Sequence, residues 1–365
     1  MIFKIMEIME IMEMMEINEN KLNTLLGKMV TEMGAAAIGP LIIIGDKLGI
    51  YKAMEAKGSA TSVELAEAAG VNERYLREWL SAHAASGYIE YDDTKETFSL
   101  SPEQAFVFSN SDSPVLMTGA YYAISSMYHD VPIMEKAFKS GDGVSWGDHH
   151  SCLFCGTEKF FRPSYATNLV QTWLPALDGV VEKLQKGAKV ADVGCGHAAS
   201  TMIMAKAFPN SEFIGFDFHQ GSIDHATLNA KASGLDNISF KVATAKDFPD
   251  SDYDLITFFD CLHDMGDPIG ACAHVKKALK PDGTCMIVEP FANDTLKENI
   301  NPVGRVFYSF STLLCTPSSM SQEVGLALGA QAGEQRLRNV ALDAGFNHFR
   351  RATETPFNLI LEARP

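Results

Sequence analysis

"VADVGCGHAAS", Val190–Ser200, decides the fold. An apolar run ends in two closely spaced glycines, and a helix-forming segment begins behind them. Gly194 and Gly196 allow a tight turn and close backbone approach to a ligand. The helix start offers N–H groups that have no partner inside the helix. Further short apolar runs follow: "EFIGFD", "ISFKVA", "DLITFFD" and "TCMIVEP", separated by segments of helical length. The closing stretch "LRNVALDAGFNHFRRATETPFNLILEARP" reads as a helix and a final hairpin. Strands alternating with helices predict an α/β fold with a mostly parallel, doubly wound sheet. This domain begins near residues 175–185, after "WLPALDG".

Asp217 ends the second strand, 21 residues beyond Gly196. A carboxylate there accepts bonds from both ribose hydroxyls of a nucleoside. Gly194–Ala199 also fits the G-x-G-x-x-A variant of the dinucleotide fingerprint, which keeps a nicotinamide cofactor open. Asp192 tilts the choice. Two residues before the first glycine, its carboxylate would repel a pyrophosphate but could pair with a cofactor ammonium group.

Upstream lies "TSVELAEAAGVNERYLREWLSAHAASGYIEYDDTKETFSLS". Thr61 or Ser62 can cap a short helix through Ala68, Gly70 breaks it, and Asn72 can cap a second. That second helix aligns Leu76, Trp79, Leu80 and His83 at i, i+3, i+4 and i+7. "YIEYDD" and "TFSLS" then form a hairpin around Asp92–Lys95, so the whole reads as a winged helix. Its would-be recognition helix carries Glu73, Arg74, Arg77 and Glu78, a balanced set with no basic patch. The chain's net charge is −16. Both argue against nucleic acid and for packing and dimerisation.

The length of 365 residues suits two domains. Seven scattered cysteines show no disulfide-framework spacing and point to a reducing, cytoplasmic setting. "AAAIGPLIIIG", Ala35–Gly45, is shorter than the roughly 20 apolar residues of a membrane span and reads as a buried helix; no membrane association is expected. The Ile/Met/Glu-rich opening reads as a frayed amphipathic helix or a loosely held extension, with a partner-binding helix as the alternative. The expected layout is an extension over 1–20, a winged-helix domain over 21–110, a helical linker and pocket segment over 111–178, and a catalytic domain over 179–365.

Taken in order, "VADVGCGHA", "FIGFD", "KVATAKDFP", "YDLITFFDCLHDMGDP" and "ALKPDGTCMIVEP" resemble class I S-adenosylmethionine-dependent methyltransferases. With the winged helix in front, the chain is similar to the small-molecule O-methyltransferases. The resemblance implies a Rossmann-like sheet of seven strands, S-adenosylmethionine as cofactor, a small-molecule acceptor and a homodimer formed through the N-terminal domain. It places Asp192, Gly194 and Gly196 around the methionine part of the cofactor and Asp217 on the ribose. Phe218, Thr244 and Ala245 would lie near the adenine, although the family often has Asp where Thr244 stands. Phe259 and Asp260 would sit near the methionine end.

The resemblance also sets a catalytic His-Asp pair at His263 and Asp264. Methyl transfer from a sulfonium is an in-line displacement, and an alcohol must shed its proton as it attacks. Histidine, with an ordinary pKa near 6.5, can accept that proton. The other role open to His263 is shaping the loop, as in methyltransferases that use no histidine base. S- or N-methylation is therefore the alternative to O-methylation, and a winged-helix regulator that senses the cofactor is the alternative class. "GDHHSCLFCG" holds His149, His150, Cys152 and Cys155 within seven residues, tighter than ordinary zinc spacings. It reads as a substrate-pocket loop, and no metal is expected. His150, Arg162, Tyr165, Arg305, Tyr308 and Met320 complete the expected substrate wall.

Overall fold

The computed structural model describes residues 17–111 and 113–365, so most of the Ile/Met/Glu-rich opening lies outside the described residues. The chain divides into two compact units. The first runs through Ser111 and takes in Leu116–Tyr121; the second holds Tyr122–Pro365 and the short stretch before Leu116.

In the first unit, α1 (Glu19–Lys47) starts at Asn18, whose side chain accepts the Lys21 N–H at 3.0 Å. Its buried residues are Ile38, Gly39, Ile42 and Gly45. The expectation of a buried helix over 35–45 thus holds for one face only. Leu25, Leu26, Met29, Val30 and Met33 are exposed one turn after another. By length and composition alone this helix could also cross a membrane. Helix α2 (Ile50–Lys57) follows. Thr61 then forms a capping box with Glu64 to open α3 (Ser62–Ala69), which ends at Gly70 with φ 66°. Asn72 accepts from the Arg74 and Tyr75 N–H groups and opens α4 (Glu73–Ala85). Strands β1 (Glu90–Asp92) and β2 (Thr97–Ser99) form the hairpin, and α5 (Pro102–Phe108) closes the unit.

The face of α4 predicted from spacing is the buried one: Leu76, Trp79, Leu80 and His83. His83 bonds the Tyr51 hydroxyl at 2.8 Å and the Trp79 carbonyl at 2.9 Å, and burial pushes its pKa down to about 4. It is a neutral packing residue. On the outer face, Arg74 pairs with Glu78 and Arg77 with Glu73.

The division falls inside α6 (Thr118–His129), whose residues from Tyr122 on belong to the second unit, which continues through α7 (Val131–Ser140), α8 (Cys152–Asn168) and α9 (Val180–Lys186). The sheet strands are β3 (Lys189–Val193), β4 (Glu212–Asp217), β5 (Ile238–Val242), β6 (Tyr253–Phe259), β7 (Leu279–Pro290), β8 (His348–Glu354) and β9 (Asn358–Arg364). Between them run α10 (Ala199–Ala207), α11 (Gln220–Ser233), α12 (Pro268–Ala278), α13 (Pro302–Phe310), α14 (Thr316–Met320) and α15 (Gly333–Asp343). The strand order is β5-β4-β3-β6-β7-β9-β8, parallel through β7, with the final hairpin antiparallel.

Side chains alternate across a strand, so β3 feeds two cores. Ala191 and Val193 join the cluster holding Val275 of α12 and Leu337 of α15. Val190 joins the one holding Leu184 of α9 and Met204 of α10. Burial on both faces explains why β3, β4 and β6 read as continuous apolar runs, whereas β5 at the sheet edge is largely exposed.

Candidate functional site

Strand order reverses at β3, with β4 on one side and β6 on the other. Open α/β sheets bind ligands at that point, outside the carboxyl ends of the strands. A cavity of about 500 Å³ lies there. Its wall includes Gly194, Gly196, Asp217, Phe218, Thr244, Ala245, Phe259, Asp260 and Asp264, brought together from residues far apart in sequence.

The glycine loop is tied to the sheet. The N–H groups of Gly194 and Cys195 both donate to the Phe216 carbonyl, at 2.7 and 3.0 Å. Gly194 has φ 75°, and a Cβ there would lie 2.7 Å from Cys261 Sγ. Gly196, at φ 51°, faces open space. Asp217 accepts the Gly196 N–H at 3.0 Å through one oxygen and the His219 N–H at 2.9 Å through the other. Burial raises its pKa, against those two bonds.

Asp192 is placed differently from the sequence expectation. It is fully buried beneath the loop and forms no part of the cavity wall. Its carboxylate accepts from Ser200, Thr201 and Thr257 hydroxyls at 2.8, 2.6 and 3.0 Å. The side chain clamps β3 to the first turn of α10 and to β6, so its contribution to the loop is positional.

At the other end, Asp260 sits at φ 50°, a conformation non-glycine residues seldom adopt. Tyr165 donates its hydroxyl to one Asp260 oxygen at 2.6 Å, and Asn358 donates to the other at 2.9 Å. Burial pushes the Asp260 carboxyl up to about 8, with the Tyr165 bond opposing. Just beyond, His263 is buried behind the wall while Asp264 lies in it. The His263 Nδ1 pairs with Glu289, whose other oxygen accepts the Leu262 N–H at 2.9 Å. Its Nε2 lies 3.2 Å from Asp264. Burial alone would lower the His263 pKa, but the Asp264 and Glu289 carboxylates outweigh it and hold the ring well above its ordinary value. The Cys315 thiol completes this cluster, pushed up to about 12 by burial.

Among the expected substrate residues, Tyr165 is in the wall; His150, Arg162, Arg305, Tyr308 and Met320 are not. His149 turns to Asp130 at 2.8 Å, and His150 stacks on His129 with ring centroids 4.0 Å apart. Among the described residues, His149, His150, Cys152 and Cys155 do not gather as metal ligands. Instead Phe154, Glu158 and Phe161 join Tyr165 in the wall. Their i, i+4, i+7, i+11 spacing marks one face of α8, a signal the sequence carried. Glu289 escaped notice because a carboxylate ending the apolar run "CMIVEP" has a meaning only once its cross-strand neighbours are known.

Comparison with known proteins adds two domain matches. Residues 184–322 match the methyltransferase domain, and residues 36–110 match the Rv2258c-like winged HTH domain. The ubiquinone biosynthesis O-methyltransferase of Actinobacillus pleuropneumoniae is 33% identical over 132 residues, 34% of this chain and 53% of that protein. The chain thus spans about half the length of this curated relative. In fold, it matches human N-acetylserotonin methyltransferase, solved with S-adenosylmethionine, at TM-score 0.70 and 14% identity, over 95% of this chain and 99% of that one. The mitomycin 7-O-methyltransferase MmcR matches at TM-score 0.64 and 16% identity, over 95% and 100%.

Proposed function

We propose that this chain, a methyltransferase domain joined to a winged helix-turn-helix domain, transfers the methyl group of S-adenosylmethionine to a hydroxyl of a small-molecule acceptor. The carrying observation is the cavity at the strand-order reversal. A glycine loop with Asp217 forms one part of its wall, and Asp260, Tyr165 and Asp264 form another.

The residues present fit the cofactor. Asp217 spends its bonds on backbone N–H groups at the cavity wall, which leaves lone pairs for ribose hydroxyls. Open space at Gly196 admits the ligand close to the backbone. Phe218, Thr244 and Ala245 would flank the adenine. Phe259, Asp260 and Tyr165 would hold the methionine end, where a carboxylate of raised pKa gains charge as a cation arrives. Bound there, S-adenosylmethionine supplies an activated methyl group on a sulfonium.

For a hydroxyl acceptor, Asp264 is the member of the pair that lies in the wall. In this reading the Asp264 carboxylate takes the hydroxyl proton as the oxygen takes the methyl group, and the buried His263, held between Asp264 and Glu289, positions that carboxylate. Fixing acceptor and methyl carbon in line supplies the rest. The seclusion of His263, with carboxylates holding its proton, also favours a second reading: S- or N-methylation, in which a thiolate or amine attacks with little help from a base. A panel of phenols, thiols and amines assayed with wild type and His263→Ala separates the two. Deep loss on phenols supports O-methylation; retained activity on thiols or amines supports the alternative. Calorimetry comes first: without binding of S-adenosylmethionine or S-adenosylhomocysteine, the cofactor assignment fails, and binding of NADH instead revives the dinucleotide alternative.

We further read the protein as a cytoplasmic homodimer. The exposed apolar stripe on α1 supports association through the first unit, since a soluble chain gains by covering such a face.

A further inference from the structure

We propose that Glu158, His197 and His225 form a site for a divalent transition-metal ion of the zinc, cobalt and nickel class at the edge of the cavity. The three come from separate elements: α8, the loop after β3, and α11. His197 Nδ1 lies 2.9 Å from Glu158 Oε2, and His225 Nε2 lies 4.0 Å from the same oxygen. One ligand atom from each falls within 4.8 Å of the others. The two imidazoles stack at 4.0 Å between centroids and 29° between planes, and one nitrogen of each lies within 4.0 Å of the same Glu158 oxygen.

Zinc bonds of about 2.0–2.1 Å put tetrahedral ligand atoms roughly 3.3 Å apart. Side-chain adjustments of about 1 Å therefore close the site around an ion. Two imidazoles and a carboxylate are ligands suited to this class of metal, and three protein ligands leave a position for water or a donor atom in the cavity. Glu158 meets His197 in a hydrogen bond at 2.9 Å and feels the charge of Arg162. The cation has to compete with Arg162 for this carboxylate. His225 is partly exposed, which gives an ion a path from solvent.

Glu158 and His197 belong to the cavity wall, whereas His225 does not. A bound ion would tie α8 to the glycine loop and stiffen one end of the cavity. This site goes beyond the methyl-transfer reading and does not depend on it.

The test uses the full chain, stripped with chelator and titrated with Zn²⁺ by calorimetry and with Co²⁺ by visible absorption, without nucleotide. One ion should bind per chain, with d–d bands and no thiolate charge-transfer band. His225→Ala and Glu158→Gln should each weaken binding at least about tenfold, the lower end of what loss of even an indirect partner costs. Melting curves in chelator confirm that each variant folds. Cys152→Ser/Cys155→Ser should bind as wild type does. Overturning results are affinity unchanged in His225→Ala and Glu158→Gln, a thiolate band, loss in the double cysteine variant, or no binding at all. Failure to bind S-adenosylmethionine would leave this titration unaffected.

Discussion

Glu289 and His263 meet inside the second unit, 26 residues apart in sequence and both almost fully buried. The same carboxylate also holds the Leu262 N–H, so it fixes both the ring and the turn that carries it. Glu289 lies at the end of β7 and His263 just beyond β6, and the pairing of these strands sets the contact.

Glu289→Gln should destabilise the protein, because breaking a buried charge pair from one side typically costs about 3–5 kcal/mol. The pH dependence carries the signature. In the wild type the His263 pKa is raised above its ordinary 6.5, so the stabilisation is complete below that pH and is lost as pH rises through the folded-state value. In the variant this loss should move to lower pH. Denaturant melts at pH 6 and pH 9 measure it; identical pH profiles in both proteins would contradict the pairing.

Asp260 predicts a trend of its own. Its pKa rises from 3.8 unfolded to about 8 folded, so the folded state holds the extra proton between those values. Its contribution to stability therefore declines as pH climbs from 3.8 and reaches its full cost above about 8. Asp260→Asn should flatten that decline. In the wild type, S-adenosylmethionine binding should tighten from pH 7 to 9 and release protons, detectable by calorimetry in buffers of different ionisation enthalpy.

Gly194→Ala tests the loop. The added methyl would lie 2.7 Å from Cys261 Sγ at a positive φ. Strain of about 1–3 kcal/mol is expected in the melt, together with a drop of at least tenfold in S-adenosylhomocysteine affinity, the equivalent of about 1.4 kcal/mol. Normal affinity in a folded variant would remove the loop from the binding site.

Met29→Glu/Met33→Glu places charges on the exposed stripe of α1. Light scattering should show the wild type as a dimer and this variant as a monomer, with the melting behaviour of the second unit unchanged. A variant that stays dimeric would move the interface elsewhere.

Local pattern carried a large share of the fold. The caps at Thr61 and Asn72, the buried face of α4 and the strand-loop-helix at Val190–Ser200 depend on neighbours a few residues away, which is why periodicity and turn chemistry exposed them. The strand–loop–helix pattern put the glycine loop and Asp217 at the carboxyl ends of strands, and the family resemblance put Asp260 near them; all three line the cavity.

What only the tertiary structure decided is which polar groups share a space. Tyr165 and Asp260 are 95 residues apart, and Glu158 and His197 are 39 apart. Strand order and the rotation of α8 bring them into contact, and neither is written in local sequence. Asp192 and His263 show the same limit from the other side: motif position named them, but packing turned Asp192 beneath the loop and His263 behind the wall. The sequence by itself determined where each element starts, stops and shows its apolar face, because those properties arise from steric and hydrophobic preferances along a few turns. Long-range packing alone determined which charges are desolvated together, and with them the chemistry of the site.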